Sequence, residues 1–221
     1  MTREECLAKW NDHIDHLIDI IKSIEPGKVT ILTGGNGKGK SLIRKQLWQN
    51  FQDRINDGRP VNKYVSDVSM QRRTGLHSEL GGMGVFLRDQ PEDPTSVTTY
   101  HFIDGIINRR MMDDKWKRYI VIDEPEIGMS EEFQVSIARF LNDHKEKILN
   151  DNLGMMVITH SKTIVRELDS DAFVNIEGLT KEQWLMRRIE PLDIQKAADE
   201  AHELFLAILE RTKKVDEESE H

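Results

Sequence analysis

A chain of 221 residues is long enough for one α/β domain with a sizeable core and leaves little room for a second. Its 31 Lys and Arg against 39 Asp and Glu give a net charge of −8, which argues against broad electrostatic capture of nucleic acid or of an anionic membrane face but leaves a local basic patch open. No apolar run approaches a membrane span, residues 1–24 lack the apolar stretch and cleavage site of a signal peptide, and the lone Cys6 can form no internal disulfide, so a cytoplasmic protein is expected.

Leu7, Trp10, Ile14, Leu17, Ile18, Ile21 and Ile24 recur at spacings of three and four and predict an amphipathic helix over 3–24, closed by Pro26-Gly27. The run "KVTILT" (28–33) predicts a strand, and "SLIRKQLWQNFQDRI" (41–55) a helix that "DGRP" then breaks. A strand is expected over 62–70, loop and turn over 77–96, and a helix from about 97 to 112. Downstream, "RYIVID" (118–123) predicts a buried strand, 130–149 a helix, and "MMVITH" (155–160) another strand. A further helix follows, then strands at "AFVNIE" and "WLMRRI", a closing helix over 192–213, and a disordered tail over 214–221. Continuously apolar strands separated by helices predict a mostly parallel sheet covered on both faces, where ligands bind beyond the carboxyl ends of the strands.

Three of those strand ends carry chemistry. In "ILTGGNGKGKSLI", Gly34, Gly39, Lys40 and Ser41 complete the phosphate-loop pattern GxxxxGK[ST] after one strand and before a helix. Average residue frequencies allow about one chance match per hundred chains of this length, and the strand and helix context makes an accident rarer still. Backbone N–H groups across Gly34, Gly35, Asn36, Gly37, Lys38, Gly39, Lys40 and Ser41 would cradle an anion at the helix N-terminus, with Lys40 reaching the outer phosphates and Ser41 ligating Mg2+. In "YIVIDE", Asp123 can hold the hydration shell of Mg2+, and Glu124 can polarise an attacking water. In "MMVITHSK", His160 is placed to donate to a γ-phosphate, although a lone histidine is more often a structural residue.

Taken together, "IEPGKVTILTGGNGKGKS", "YIVIDEPEIGMS" and "MMVITHSK" resemble the Walker A, Walker B with following D-loop, and switch-histidine segments of ABC-type P-loop ATPases. The similarity is greatest to the soluble branch containing SMC-like, RecF-like and OLD-like proteins, and it spans roughly residues 24–177. It implies a RecA-like α/β core with a minimal helical lobe (about 72–112), in which Asp123 assists Mg2+, Glu124 is the catalytic base and His160 senses the γ-phosphate. It also puts Gln71 at the family's Q-loop glutamine, which contacts both metal and attacking water, though Gln71 beside Arg72 and Arg73 reads equally as an exposed polar run.

The chain departs from that family in three places. The LSGGQ-type signature segment is replaced by "PTSVTTYHFIDGIINRR", where Ser96 can supply the serine without the following glycines, and where Thr95 or Ser96 can equally be a helix N-cap. The interval from Gln71 to Ser96 is too short for a coiled coil or a full transporter lobe. A helix, in place of strands with a base-stacking aromatic, precedes the phosphate loop; Trp10 can stack on a base, but its helical phase favours core packing. The one locally basic stretch, "NRRMMDDKWKR" (108–118), reads as a solvated helix end or as a contact for DNA or a protein. The expected protein is a single ABC-like domain over 1–213 that binds ATP and Mg2+, hydrolyses ATP slowly, and dimerises around it as a switch for a partner carrying the effector activity. The alternatives are a nucleotide-responsive scaffold without turnover and a transporter ATPase subunit.

Overall fold

The computed structural model describes residues 1–55, 65–68, 95–108, 117–188, 191 and 193–219. Helix α1 (Arg3–Ser23) begins at a capping box: the Glu5 amide donates to Thr2 Oγ1 at 3.2 Å and the Thr2 amide to Glu5 Oε2 at 2.7 Å. After the turn at Gly27, strand β1 (Val29–Thr33) is buried along its whole length and leads through the glycine loop into α2 (Lys40–Ile55). Next come β2 (Val65–Val68), α3 (Thr95–Ile107) and β3 (Tyr119–Asp123), then α4 (Glu131–Asp143), α5 (Lys145–Asp151) and β4 (Gly154–Ile158). The chain closes with α6 (Lys162–Glu167), β5 (Ala172–Asn175), α7 (Lys181–Met186) and α8 (Ile194–Ser219).

The strands form one sheet in the order β2-β3-β4-β1-β5, and every pairing among the described residues is parallel. Its strands are apolar on both faces, and the pleat sorts them into two cores. Val29, Ile31, Ile120, Ile122, Met155 and Val157 face α3, α4 and α6, where Phe102, Ile103, Ile137 and Ile164 are buried. Leu32, Tyr119, Val121, Met156 and Ile158 face α1 and α2, against Leu17, Ile21, Ile43, Leu47 and Phe51. This is the mostly parallel α/β sheet covered on both faces that the apolar strands anticipated.

Helix α8 crosses back onto α1. Cys6 and Ile14 pack on Leu204 and Ala207, and two ion pairs, Lys9 to Glu203 and Arg211 to Asp15, both 2.6 Å, flank them. Cys6 is therefore buried between the first and last helices. Trp10 joins this cluster and donates its indole N–H to Glu203 Oε2 at 3.2 Å, in keeping with a packing role.

Three expectations are corrected. The helix over 130–149 is two helices that part at His144, where ψ is 6° and α5 restarts. The first half of "WLMRRI" is not a strand: α7 starts from a capping box between Thr180 and Gln183, and that local hydrogen bonding, with Trp184 buried on one face, outweighs the apolar run. Helix α8 continues to Ser219, so residues 214–219, expected to belong to a disordered tail over 214–221, are helical. Most of the loop expected over 77–96, most of the basic stretch over 108–118, and Gln71 lie outside the described residues. Among those described, no helix is long and apolar enough to cross a membrane.

Candidate functional site

Because β4 sits between β1 and β3, the three chemistry-bearing strand ends are side by side at one edge of the sheet. At the end of β1, the phosphate loop is shaped by Gly37 (φ 73°) and Gly39 (φ 103°), conformations that side chains disfavour. Space excludes them too: a Cβ on Gly37 would lie 2.7 Å from Ala201 Cβ, and one on Gly39 2.5 Å from Leu17 Cδ1. The amides of Leu42 and Ile43 turn back to the Gly39 carbonyl at 2.9 and 3.0 Å and start α2, leaving the preceding amides of the loop at the positive end of that helix.

Lys40 is buried under the loop and donates from Nζ to the carbonyls of Gly34 and Gly35, both at 3.0 Å. Burial pushes its ammonium pKa down, against the opposing pull of Glu124, Glu177, Asp123 and Glu126. Lys38 turns the other way, to Glu200 of α8 at 2.7 Å, while its amide donates to the Gly35 carbonyl at 3.4 Å. His13 of α1 approaches the Lys38 carbonyl at 3.1 Å, so the loop is held between the first and last helices. Glu177, just beyond β5, accepts the Gly35 amide at 2.6 Å.

At the end of β3, Asp123 accepts from Arg44 Nη1 at 2.9 Å, a largely buried pair joining the strand to α2. Glu124 follows with φ 50°, the lone positive value at a non-glycine residue among the described residues, and its amide donates to the Ile158 carbonyl of β4 at 2.8 Å. Such a conformation costs about 1–3 kcal/mol and is held by the surrounding structure, a feature that concentrates at functional sites. At the end of β4, His160 Nε2 lies 3.5 Å from Glu124 Oε1. Burial and the Lys40 ammonium push the pKa of His160 below the ordinary histidine value, against the opposing pull of Glu124, Glu126 and Glu177. Ser161, next in the chain, caps α6 by accepting the Ile164 amide at 3.1 Å, which fixes where the His160 backbone can lie.

A cleft of about 570 Å3 gathers Asn36, Gly37, Gly39, Lys40 and Ser41 with Asp123 and Glu124. Leu42 and Lys45 of α2 and Ala201, Leu204, Phe205 and Ile208 of α8 complete its lining. The structure thus brings together the loop, the carboxylate pair and the histidine expected from sequence. Ser96 falls in the first turn of α3.

Four contributors went unnoticed in the sequence. Glu126 accepts both the Thr159 hydroxyl at 2.8 Å and the His160 amide at 2.7 Å, tying the loop after β3 to the loop after β4. Gln134 accepts from Ser161 Oγ at 2.6 Å and anchors the same loop. Arg44 lies one helical turn after Lys40, a spacing that was visible. Phe205 belongs to a helix more than 150 residues downstream of the loop, and no local pattern marks it.

No protein-family model and no curated protein matches the chain. Among solved structures it is similar to CbiO1 from Clostridium perfringens, part of the ABC transporter complex CbiONQ, with 16% identity, 68% of this chain and 74% of that one covered, and a TM-score of 0.41. It is also similar to C. elegans PCH-2, with 18% identity over 78% of this chain and 42% of that one, at a TM-score of 0.32. A third is the Aeropyrum pernix ORC2 protein in ADPNP–ADP complexes, with 11% identity over 78% of this chain and 46% of that one, at 0.35. The chain spans less than half of each of the last two, and all three are distant likenesses.

Proposed function

We propose that this protein binds ATP with Mg2+ and hydrolyses it slowly, and that two copies closing around the nucleotide form a switch for a protein partner or a DNA transaction. One observation carries the reading: three strand ends of a parallel sheet deliver a glycine loop with Lys40, the pair Asp123 and Glu124, and His160 to one edge, with Glu124 and His160 3.5 Å apart. A cluster of this kind suits phosphoryl transfer, where catalysis is mostly positioning and charge stabilisation.

In this reading the amides of residues 36–41 hold the phosphates, and Lys40 exchanges its two carbonyl partners for phosphate oxygens. Ser41 and Asp123 offer hard oxygen donors that fit Mg2+, an ion usually held by one or two carboxylates together with substrate phosphates. When bound, the ion neutralises charge on the phosphate oxygens. Glu124 accepts the proton of the attacking water, and His160 donates to the γ-phosphate. Gln71 and, from the second copy, Ser96 complete the assignment, which follows the soluble SMC-like, RecF-like and OLD-like pattern.

The test is steady-state phosphate release by purified protein, with and without DNA. Lys40→Ala is expected to abolish binding, and Glu124→Gln to bind ATP and accumulate as a dimer; a Glu124→Gln protein that turns over at the normal rate removes Glu124 as base. The ion pair of Arg44 with Asp123 favours a second reading, a nucleotide-responsive scaffold without turnover, because the chain's own cation already engages the metal-binding carboxylate. Binding of ATP with no phosphate release above the Lys40→Ala background selects that reading.

A further inference from the structure

We propose that Phe205 of α8 is the platform on which the base of the bound nucleotide stacks, an inference that rests on the nucleotide-binding reading above. Phe205 is 55% exposed, a large apolar surface left in contact with water, and it lines the same cleft as the phosphate loop and the Asp123 and Glu124 carboxylates. Its position follows from how α8 meets the loop. Ala201 lies so close to Gly37 that a Cβ there would stand 2.7 Å from its methyl group, and Phe205 is four residues further along, on the same face of the helix and about 6 Å beyond the contact.

The platform is anchored. Lys38 to Glu200 at 2.7 Å, Lys9 to Glu203 at 2.6 Å and the burial of Leu204 and Ala207 against α1 fix α8 on both sides of Phe205. Trp10, the aromatic considered from sequence, is engaged elsewhere: its indole N–H is on Glu203, the Lys38 ammonium stands 5.5 Å from its ring centroid, and it does not line the cleft. The volume, about 570 Å3, is in the range of small-molecule sites. On the α8 side the lining among the described residues is Ala201, Leu204, Phe205 and Ile208, all apolar side chains. Stacking by itself tolerates every base, so the Phe205 platform contributes little discrimination between ATP and GTP.

The test compares ATP, GTP and inorganic tripolyphosphate by calorimetry on the full chain with Mg2+. Phe205→Ala is expected to weaken ATP and GTP about tenfold, the worth of one base stacked on an aromatic ring, and to leave tripolyphosphate unchanged. Phe205→Trp is expected to keep ATP affinity within about twofold, with emission quenched by ATP and not by tripolyphosphate. Unchanged ATP affinity in Phe205→Ala overturns the proposal, and if that variant also loses a dimer seen in light scattering, Phe205 is a contact between copies. Equal weakening of ATP and tripolyphosphate overturns it as well, since Phe205 then acts through the loop. Failure of the unaltered protein to bind either ATP or tripolyphosphate overturns the nucleotide reading itself, and this proposal with it.

Discussion

The guanidinium of Arg44 donates to the carboxylate of Asp123 at 2.9 Å, joining the helix that follows the phosphate loop to the strand end that carries the acidic pair. Both side chains are largely buried, 13% and 18% exposed, so the pair is poorly screened. A divalent ion approaching Asp123 must compete with it. Arg44→Met is therefore expected to lower the Mg2+ concentration for half-maximal ATP binding by about three- to tenfold, read by titrating Mg2+ at fixed nucleotide. The same variant leaves a desolvated carboxylate with one partner fewer, at a stability cost of about 1–3 kcal/mol in denaturant unfolding.

Glu124, proposed here as the general base, sits at a positive φ and beside His160. Glu124→Gln retains shape and loses the proton acceptor, so phosphate release should fall about 10²- to 10⁴-fold with ATP affinity unchanged. Single-turnover kinetics with labelled ATP separate the two quantities.

Glu126 ties two loops by accepting the Thr159 hydroxyl and the His160 amide. Glu126→Ala leaves both donors without this acceptor and should cost about 1–3 kcal/mol of stability. Its turnover should fall as His160 loses its position, while Glu126→Gln, which keeps one acceptor oxygen, should recover most of the stability. Thermal unfolding and phosphate release on the two variants check this, and equal behaviour of Ala and Gln would remove the tie.

Burial and the Lys40 ammonium depress the pKa of His160 below its ordinary value near 6.5. Between the folded and the unfolded pKa, the unfolded chain binds a proton that the native chain does not, so stability falls as pH drops below about 6.5 and levels once the folded group is protonated. Melting temperature measured from pH 7.5 to 5 should therefore decline more steeply for the native protein than for His160→Gln.

Gly39 combines φ 103° with a contact in which a Cβ would stand 2.5 Å from Leu17 Cδ1. Gly39→Ala should destabilise by about 1–3 kcal/mol and abolish nucleotide binding. Adding Leu17→Ala frees space without restoring the backbone conformation, so the double variant should still fail to bind. Recovery of binding in the double variant would show that crowding alone was at fault.

Much of this architecture was legible because it is written in short-range pattern. The apolar runs at 118–123 and 155–160 specify strands buried on both faces, and the loop pattern at 34–41 sits between a strand and a helix, so the edge of the sheet where chemistry collects was readable from the chain order of three motifs. The errors were local competitions. At 180–183 a capping box outweighed an apolar run, and at His144 one periodic stretch divided into two helices.

What the sequence determined by itself was the chemistry and its order: glycines and Lys40 after one strand, Asp123 and Glu124 after a second, His160 after a third. Only the tertiary structure decided that β4 lies between β1 and β3, which sets Glu124 and His160 3.5 Å apart, and that Arg44 faces Asp123. The position of α8 over the loop, with Lys38 on Glu200 and Phe205 in the cleft, was likewise invisible. The physical reason is separation along the chain. Periodicity and motif spacing report what a residue does with neighbours a few positions away, whereas α8 meets the loop across some 160 residues, through packing on α1 that no local pattern encodes.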